Sequence, residues 1–320
     1  TAEGTTVESG STLALGNIEV GNEPIALSGP GNPASYGAIH VNNGLSPILN
    51  GNVTNNGNAT IGSAGVLTLR GTSDLGATGD QLTLNALPGG AILHNGSIAG
   101  NGSLVLSGGG SVLLSAANTY QGTTTITNGT EVAAGAANVL PTANGRTRLL
   151  MDTAGTGGSR LDLSAVSQAV SSLTSGASSE ILLGADGLIL GNGAGTNTPL
   201  GPSGAFEGVI RGPGGITKDG ASLQELSGPN AYEGTTTILA GVLRVANPSG
   251  LGSTLSGSSV ADGASLVVAG VTIAGEALTL EGSGWQAGEG ALLGEGSSAS
   301  FDGPISLSGD AIIRGASGTE

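Results

Sequence analysis

The side chains best suited to proton transfer near neutral pH are two histidines, His40 and His94. Each closes a short run of apolar residues, Ala38-Ile39 before one and Ile92-Leu93 before the other. Both read as strand-end or outward residues, because no neighbouring Asp or Ser completes a nucleophile, base and orienting acid. Carboxylates flanking a glycosidic bond could come from separate segments, Asp152 with Asp162 for example. The even scatter of the acids favours solvated side chains at strand ends instead. Calcium loops need clustered Asp at fixed spacing, and phosphate loops need a Lys after their glycines; neither pattern occurs. Tyr120 and Tyr232 recur in the same local sequence and could stack on a sugar, but a turn tyrosine packed over the edge of a coil is the simpler reading. Thr123, Thr125 and Thr127 should share one face of a strand, with Thr124 and Ile126 on the other. Such a threonine array suits ice binding, yet Leu239 replaces the third threonine in the second copy. No catalytic, cofactor-binding or metal-binding residue is assigned on this reading.

Composition narrows the function further. Net charge is −15, with 23 acids set against seven Arg and one Lys, Lys218. Without a basic patch to neutralise phosphates, nucleic acid is not expected as a partner, and anionic membrane surfaces would repel the chain. No apolar run approaches the roughly 20 residues that span a bilayer. Cysteine is absent, which suits a repeat protein that gains its core by stacking rather than by disulfides. The start, Thr1-Ala2-Glu3-Gly4, has neither a basic nor an apolar region, so the chain reads as a mature or excised segment. Asn52, Asn58, Asn95, Asn101 and Asn128 head glycosylation-type sequons, which Gly-Asn turns also produce by chance.

The elements that must position these residues are short strands. Leu13-Ala14-Leu15, Leu67-Thr68-Leu69, Leu104-Val105-Leu106 and Leu278-Thr279-Leu280 alternate and lie close to glycines. The one helical candidate is 161–175, but Leu161-Asp162-Leu163 alternates and the flanks are rich in Gly and Ser, so two short strands are expected. Six aromatic residues against 62 glycines point to a narrow core of Leu, Ile, Val and Ala. Regular spacing of those residues argues against disorder.

Internal repetition decides the architecture. Residues 118–126 read Asn-Thr-Tyr-Gln-Gly-Thr-Thr-Thr-Ile, and 230–238 read Asn-Ala-Tyr-Glu-Gly-Thr-Thr-Thr-Ile, 112 residues on. A longer period relates Val7–Leu15 to Val260–Val268 at an offset of 253, and Gly57–Ile61 to Gly309–Ile313 at 252. We read 1–320 as one continuous β-helix segment with repeat cores at 100–141 and 212–252 and a larger module restarting near 256. Stacked coils bury one face of every strand and pair both of its edges at the strand spacing of about 4.8 Å. Coils of roughly 20–25 residues would number about 13 to 16. A β-sandwich does not account for modules repeating in series.

The motifs that carry a family resemblance are Gly212 to Lys218, Leu226 to Ile238 and Ala240 to Leu243. Together they resemble the autotransporter-associated β-strand repeat, also called the passenger-associated transport repeat. The segment from Gly100 to Pro141 resembles the same element. Gly37–His40, Gly51–Val53, Asn58–Ser63, Leu67–Leu69 and Phe206–Ile210 resemble the strands that accompany it in large bacterial surface proteins. The resemblance implies an all-β fold, a right-handed parallel β-helix (solenoid), on the outer surface of a Gram-negative-type bacterium. It implies a structural or adhesive extracellular role, with the repeat aiding passenger folding and transport. Asn118, Tyr120, Gly122 and Thr123, with Asn230, Tyr232, Gly234 and Thr235, are then structural residues of the repeat cores. The family's aromatic-girdled membrane barrel does not occur in this segment, so no membrane insertion by the segment is expected. Expected partners are neighbouring modules or like subunits stacked end to end, and a host or matrix surface. A polysaccharide-binding or polysaccharide-degrading module is the alternative, and it would need a groove of clustered acids and aromatics.

Overall fold

The computed structural model describes residues 4–142, 146–153, 157–191, 204–286 and 288–315. Thr1–Glu3 and the end of the apparent module restart, beyond residue 315, lie outside the described residues. Among the described residues there is no helix, and every pairing between strands is parallel. The helical candidate at 161–175 is strand, as Arg160–Leu163, Gln168–Val170 and Ser172–Ser175. The fold is a right-handed parallel β-helix. Contacts divide it into two compact units, 1–165 and 166–320.

Each unit repeats three walls in the same chain order. In the first unit a tyrosine wall starts with Thr5–Val7 and Ile25–Leu27 and ends with Ile98–Ala99. The Tyr120 segment continues it, the Thr119 amide donating to the Ile98 carbonyl at 2.9 Å. Next comes a threonine wall of seven strands from Leu13–Leu15 to Arg148–Met151, which includes Thr124–Ile126. A third wall runs from Glu19–Val20 to Arg160–Leu163. In the second unit the tyrosine wall is Glu180–Leu183, Val209–Gly212 and Ala231–Tyr232. Its threonine wall has seven strands from Gln168–Val170 to Ile305–Ala311, including Thr236–Ile238, and its third wall runs from Ser172–Ser175 to Ile313–Arg314.

Alternation explains the core. In a strand of three residues the outer two point in and the middle one points out. Parallel stacking in register then lines up like positions from coil to coil. One inward column of the first unit reads Leu13, Ile39, Ile61, Leu84, Leu106, Ile126, Met151. Its counterpart in the second unit reads Val170, Leu190, Lys218, Ile238, Val260, Leu280, Leu307. Burying each aliphatic side chain contributes about 1.5–3 kcal/mol, so the stack is held by many modest and similar terms.

Candidate functional site: the two repeat cores

Asn118 and Asn230 are buried at the turn that opens each repeat core. Each braces three successive coils with one amide. The Asn118 Oδ1 accepts from the Ile98 amide of the preceding coil at 2.7 Å, and its Nδ2 donates to the Val139 carbonyl of the following coil at 2.7 Å. Asn230 does the same between the Ile210 amide and the Gly250 carbonyl, both at 2.9 Å. Asparagine fits because it carries a donor and an acceptor on a side chain short enough to mimic a peptide group. Asn55 sits in a similar buried place, but only its donor is engaged, to the Leu75 carbonyl at 3.0 Å.

The tyrosines are inside the coil, not over its edge. Tyr120 and Tyr232 are at most 1% exposed. A phenol inside an apolar coil must find a partner, and each takes the threonine four residues on. Tyr120 Oη meets Thr124 Oγ1 at 2.5 Å and Tyr232 Oη meets Thr236 Oγ1 at 2.6 Å. Burial pushes both phenol pKa values up, with the threonine bond opposing in part, so neither is an acid near neutral pH. These tyrosines cannot stack on a sugar. In the first core the network continues from Thr124 to Thr147 at 3.2 Å. In the second, the next coil places Ser258 beside Thr236, and Ser258 donates to buried Glu276 at 2.6 Å. Burial raises the Glu276 pKa, partly offset by that bond.

Gly122 and Gly234 lie where successive coils touch. A Cβ at 122 would sit 2.2 Å from the Gly102 carbonyl oxygen, and one at 234 would sit 2.4 Å from the Gly215 amide nitrogen. Both amides donate to the coil below, to Gly102 and Gly214. Thr123 and Thr235 follow, and their carbonyls accept the Leu104 and Ile216 amides at 2.9 and 3.1 Å. Thr124 and Ile126 point inward and Thr125 outward, as the alternation predicts. The outward column of the first threonine wall reads Thr60, Thr83, Val105, Thr125, Leu150. That of the second reads Thr217, Thr237, Ser259, Thr279, Ser306.

Three expectations about ionisable groups need correction. His94 ends a strand but points inward and is buried, in register between Leu69 and Leu114. Its Nδ1 donates to the Gly96 carbonyl at 2.9 Å and its Nε2 accepts from Ser73 Oγ at 2.7 Å. A serine does therefore reach a histidine, from one coil earlier, a closeness that sequence distance hides. Ser73 is itself buried, so no substrate can meet this pair. Burial lowers the His94 pKa to about 4, against the smaller opposing effect of the carbonyl. His40 does point outward, but the Tyr36 ring, 5.2 Å away, covers it. Asp152 is buried rather than solvated: its backbone turns through φ 44° and Oδ2 accepts the Ser159 amide at 2.6 Å. Asp162, by contrast, is part-exposed and paired with Arg160 at 3.3 Å. Among the described residues no group of three His, Asp or Glu side chains could hold a metal ion.

Lys218 is the residue that sequence reasoning passed over. It is 0% exposed, and its ammonium donates to the Gly220 carbonyl at 2.6 Å and the Ala240 carbonyl of the next coil at 3.2 Å. Burial lowers its pKa to about 8, with Asp219 opposing. The available signal was its alignment with Leu106, 112 residues earlier, which marks an inward position. Gln224 was missed too. Its buried amide reaches past Gly204 to bond both the amide and the carbonyl of Leu173, at 3.0 and 2.8 Å.

Comparison with known proteins bears on these cores directly. The family model described as the passenger-associated-transport-repeat matches residues 99–130 and 216–245, the two stretches that hold the Asn braces and Tyr–Thr pairs. A protein named adhesin BmaC autotransporter, from Brucella suis biovar 1 (strain 1330), is 29% identical over 270 residues. That match takes in 83% of this chain but only 7% of the Brucella protein's length. No solved structure matches the chain. The chain carries the passenger-associated-transport repeat twice, each copy built around one asparagine brace and one buried tyrosine, and resembles an autotransporter adhesin over most of its length.

Proposed function

We propose that this segment is part of an extracellular, adhesive β-helical passenger displayed at the outer surface of a Gram-negative-type bacterium, and that it works by presenting surface rather than by chemistry. The observation that carries the reading is the pair of passenger-associated-transport repeats, joined to similarity with a protein named as an adhesin. The geometry supports it. The polar groups that resemble a site, Ser73 with His94 and Tyr232 with Thr236, are closed inside the coil and act as braces. The outward columns of the threonine walls are short hydroxyl and aliphatic side chains, which suits broad contact.

Like coils are the proposed partners at the Ile305–Ile313 edge. Ile305, Leu307 and Ile313 occupy inward register positions yet are 37%, 62% and 53% exposed. A further coil of like repeats, or a like subunit, would cover them and pair their backbone. The reading is tested by deleting this segment in frame from the full-length protein and measuring both surface display and attachment to host cells or matrix. Attachment should fall while display of the remaining passenger persists. Unchanged attachment at equal display would overturn it.

A further inference from the structure

Aliphatic columns do not by themselves say which residue stacks on which. Leu190, Ile238 and Val260 are interchangeable neighbours by size and polarity, and a strand that slips two residues along its partner keeps its inward and outward faces. The threonine strands make the ambiguity acute. Ile216-Thr217-Lys218 stacks on Thr236-Thr237-Ile238, and Thr217 would find a hydroxyl opposite it at either Thr237 or Thr235. One residue in the column does discriminate. Lys218 sits in register between Leu190 and Ile238, fully enclosed, with its ammonium on one carbonyl of its own turn and one of the next coil.

We propose that Lys218 is a register pin, which fixes how coil 216–220 lies on coil 236–241 because no slipped arrangement gives its buried ammonium both the Gly220 and the Ala240 carbonyl. A slipped coil keeps the Gly220 bond of the same turn but loses the Ala240 bond. A buried ammonium short of a hydrogen bond is more unfavourable than a misplaced methyl group, so the slip would be penalised. The native coil carries a penalty too, consistent with a Lys218 pKa lowered to about 8. The charged group that acts on Lys218 is Asp219, beside it in sequence. The first unit holds the same kind of device on another wall. His94 interrupts the column Leu49, Leu69, Leu114, Ala134 and is satisfied by Ser73 of the coil before and by Gly96 of its own turn. A single buried base, bonded to two coils, recurs where the rest of the column is aliphatic.

The chain has no cysteine, so register can be read by disulfide trapping. T217C with T237C reports the native register, in which these residues are Cα partners. T217C with T235C reports the two-residue slip and is too far apart to bridge in the native fold. The full chain is unfolded, refolded under oxidising conditions, and the bridged peptides are counted by mass spectrometry. With Lys218 present, the native bridge should dominate. In K218L, which borrows the leucine of the other repeat core, the ratio of native to slipped bridge should fall severalfold while thermal stability holds or rises. K218M is measured alongside, and serves alone if K218L does not fold. A plain packing role would lower stability and leave the ratio alone. Ratios in K218L and K218M equal to that of the lysine chain would overturn the proposal, whatever the melting temperature does.

Discussion

The two units are built on the same repeat core and differ in what they enclose. Both place an asparagine across three coils and a tyrosine on an inward threonine, with closely similar distances. Around those fixed points the first unit keeps its main column aliphatic through Leu106 and admits His94 elsewhere, whereas the second admits Lys218 into the main column itself. The outer columns differ as well. Val105 and Leu150 interrupt the threonines of the first, and hydroxyls follow without a break from Thr217 to Ser306 in the second. The asparagine brace and the tyrosine–threonine pair are thus held constant, and the other residues that fill the core or face outward vary. The repeat specifies a joint, and the coil around the joint is free to differ.

If the joint is common, removing it should be equally damaging in both units, and this is the largest effect expected. N118A leaves the Ile98 amide and the Val139 carbonyl without partners, and N230A does the same to Ile210 and Gly250. A buried unsatisfied backbone group is worth about 1–3 kcal/mol, so each variant should lose about 2–5 kcal/mol. Urea titrations of the full chain, with hydrogen exchange to locate the loss, would measure both. A loss in one unit several times that in the other would break the equivalence.

Acid and alkali should separate the units. Folded His94 has a pKa of about 4 against 6.5 for the free group, so the folded state binds fewer protons than the unfolded chain between those values. Stability is therefore complete above pH 6.5 and falls as pH drops towards 4, by up to about 3 kcal/mol. Lys218 has the same sign in a different window. Its folded pKa of about 8 lies below the ordinary 10.5, so its contribution is lost as pH falls from 10.5 to 8 and is flat below. The first unit should weaken in mild acid and the second should strengthen in alkali. The raised Glu276 carboxyl has the opposite sign to His94 and strengthens the second unit as pH falls towards 4.5. Trp285, the single tryptophan, reports the second unit by fluorescence. H94L should abolish the acid window and K218L the alkaline one. A chain with one shared pH profile for both units would contradict the assignment.

Much of this was legible in the sequence, for a definite reason. Alternation and repetition are backbone-level signals, so the strands, the parallel stack and the sharing of one face by Thr124 and Ile126 followed from spacing, while the structure shows that face to be the inward one. The offset of 112 residues identified Asn118 with Asn230 and Tyr120 with Tyr232 before any contact was known. What spacing does not carry is the depth at which a polar group sits. His94 and Asp152 looked outward because polar residues usually are, and the tyrosines looked like edge residues because they sit at turns. Each takes a partner from elsewhere, Ser73 from the coil below, the Ser159 amide, or a threonine four residues on, although the buried Asp152 Oδ1 has no hydrogen-bond partner. Lys218 was the most concealed, since its two carbonyl partners belong to backbone that has no signature in sequence.

The smallest effect expected is also the sharpest test of how far the two cores are alike. Y120F and Y232F keep the ring and its packing and remove only the hydroxyl. The partner threonines are not left in the same state. Thr124 still has the Thr147 hydroxyl at 3.2 Å, whereas Thr236 keeps only a long contact to the Leu251 carbonyl at 3.4 Å. Net loss of one such hydrogen bond is about 1 kcal/mol, and a buried hydroxyl left poorly paired adds to it. Y232F should therefore cost more than Y120F, with both near 1–2 kcal/mol. Adding T124V to Y120F and T236V to Y232F tests the reason, because removing both partners leaves no hydroxyl buried without a mate. The double variant should recover part of the loss in the second unit and little in the first, where Thr147 then loses a neighbour. Equal costs for the two phenylalanines, with no recovery at 236, would show that the tyrosines matter for their rings alone.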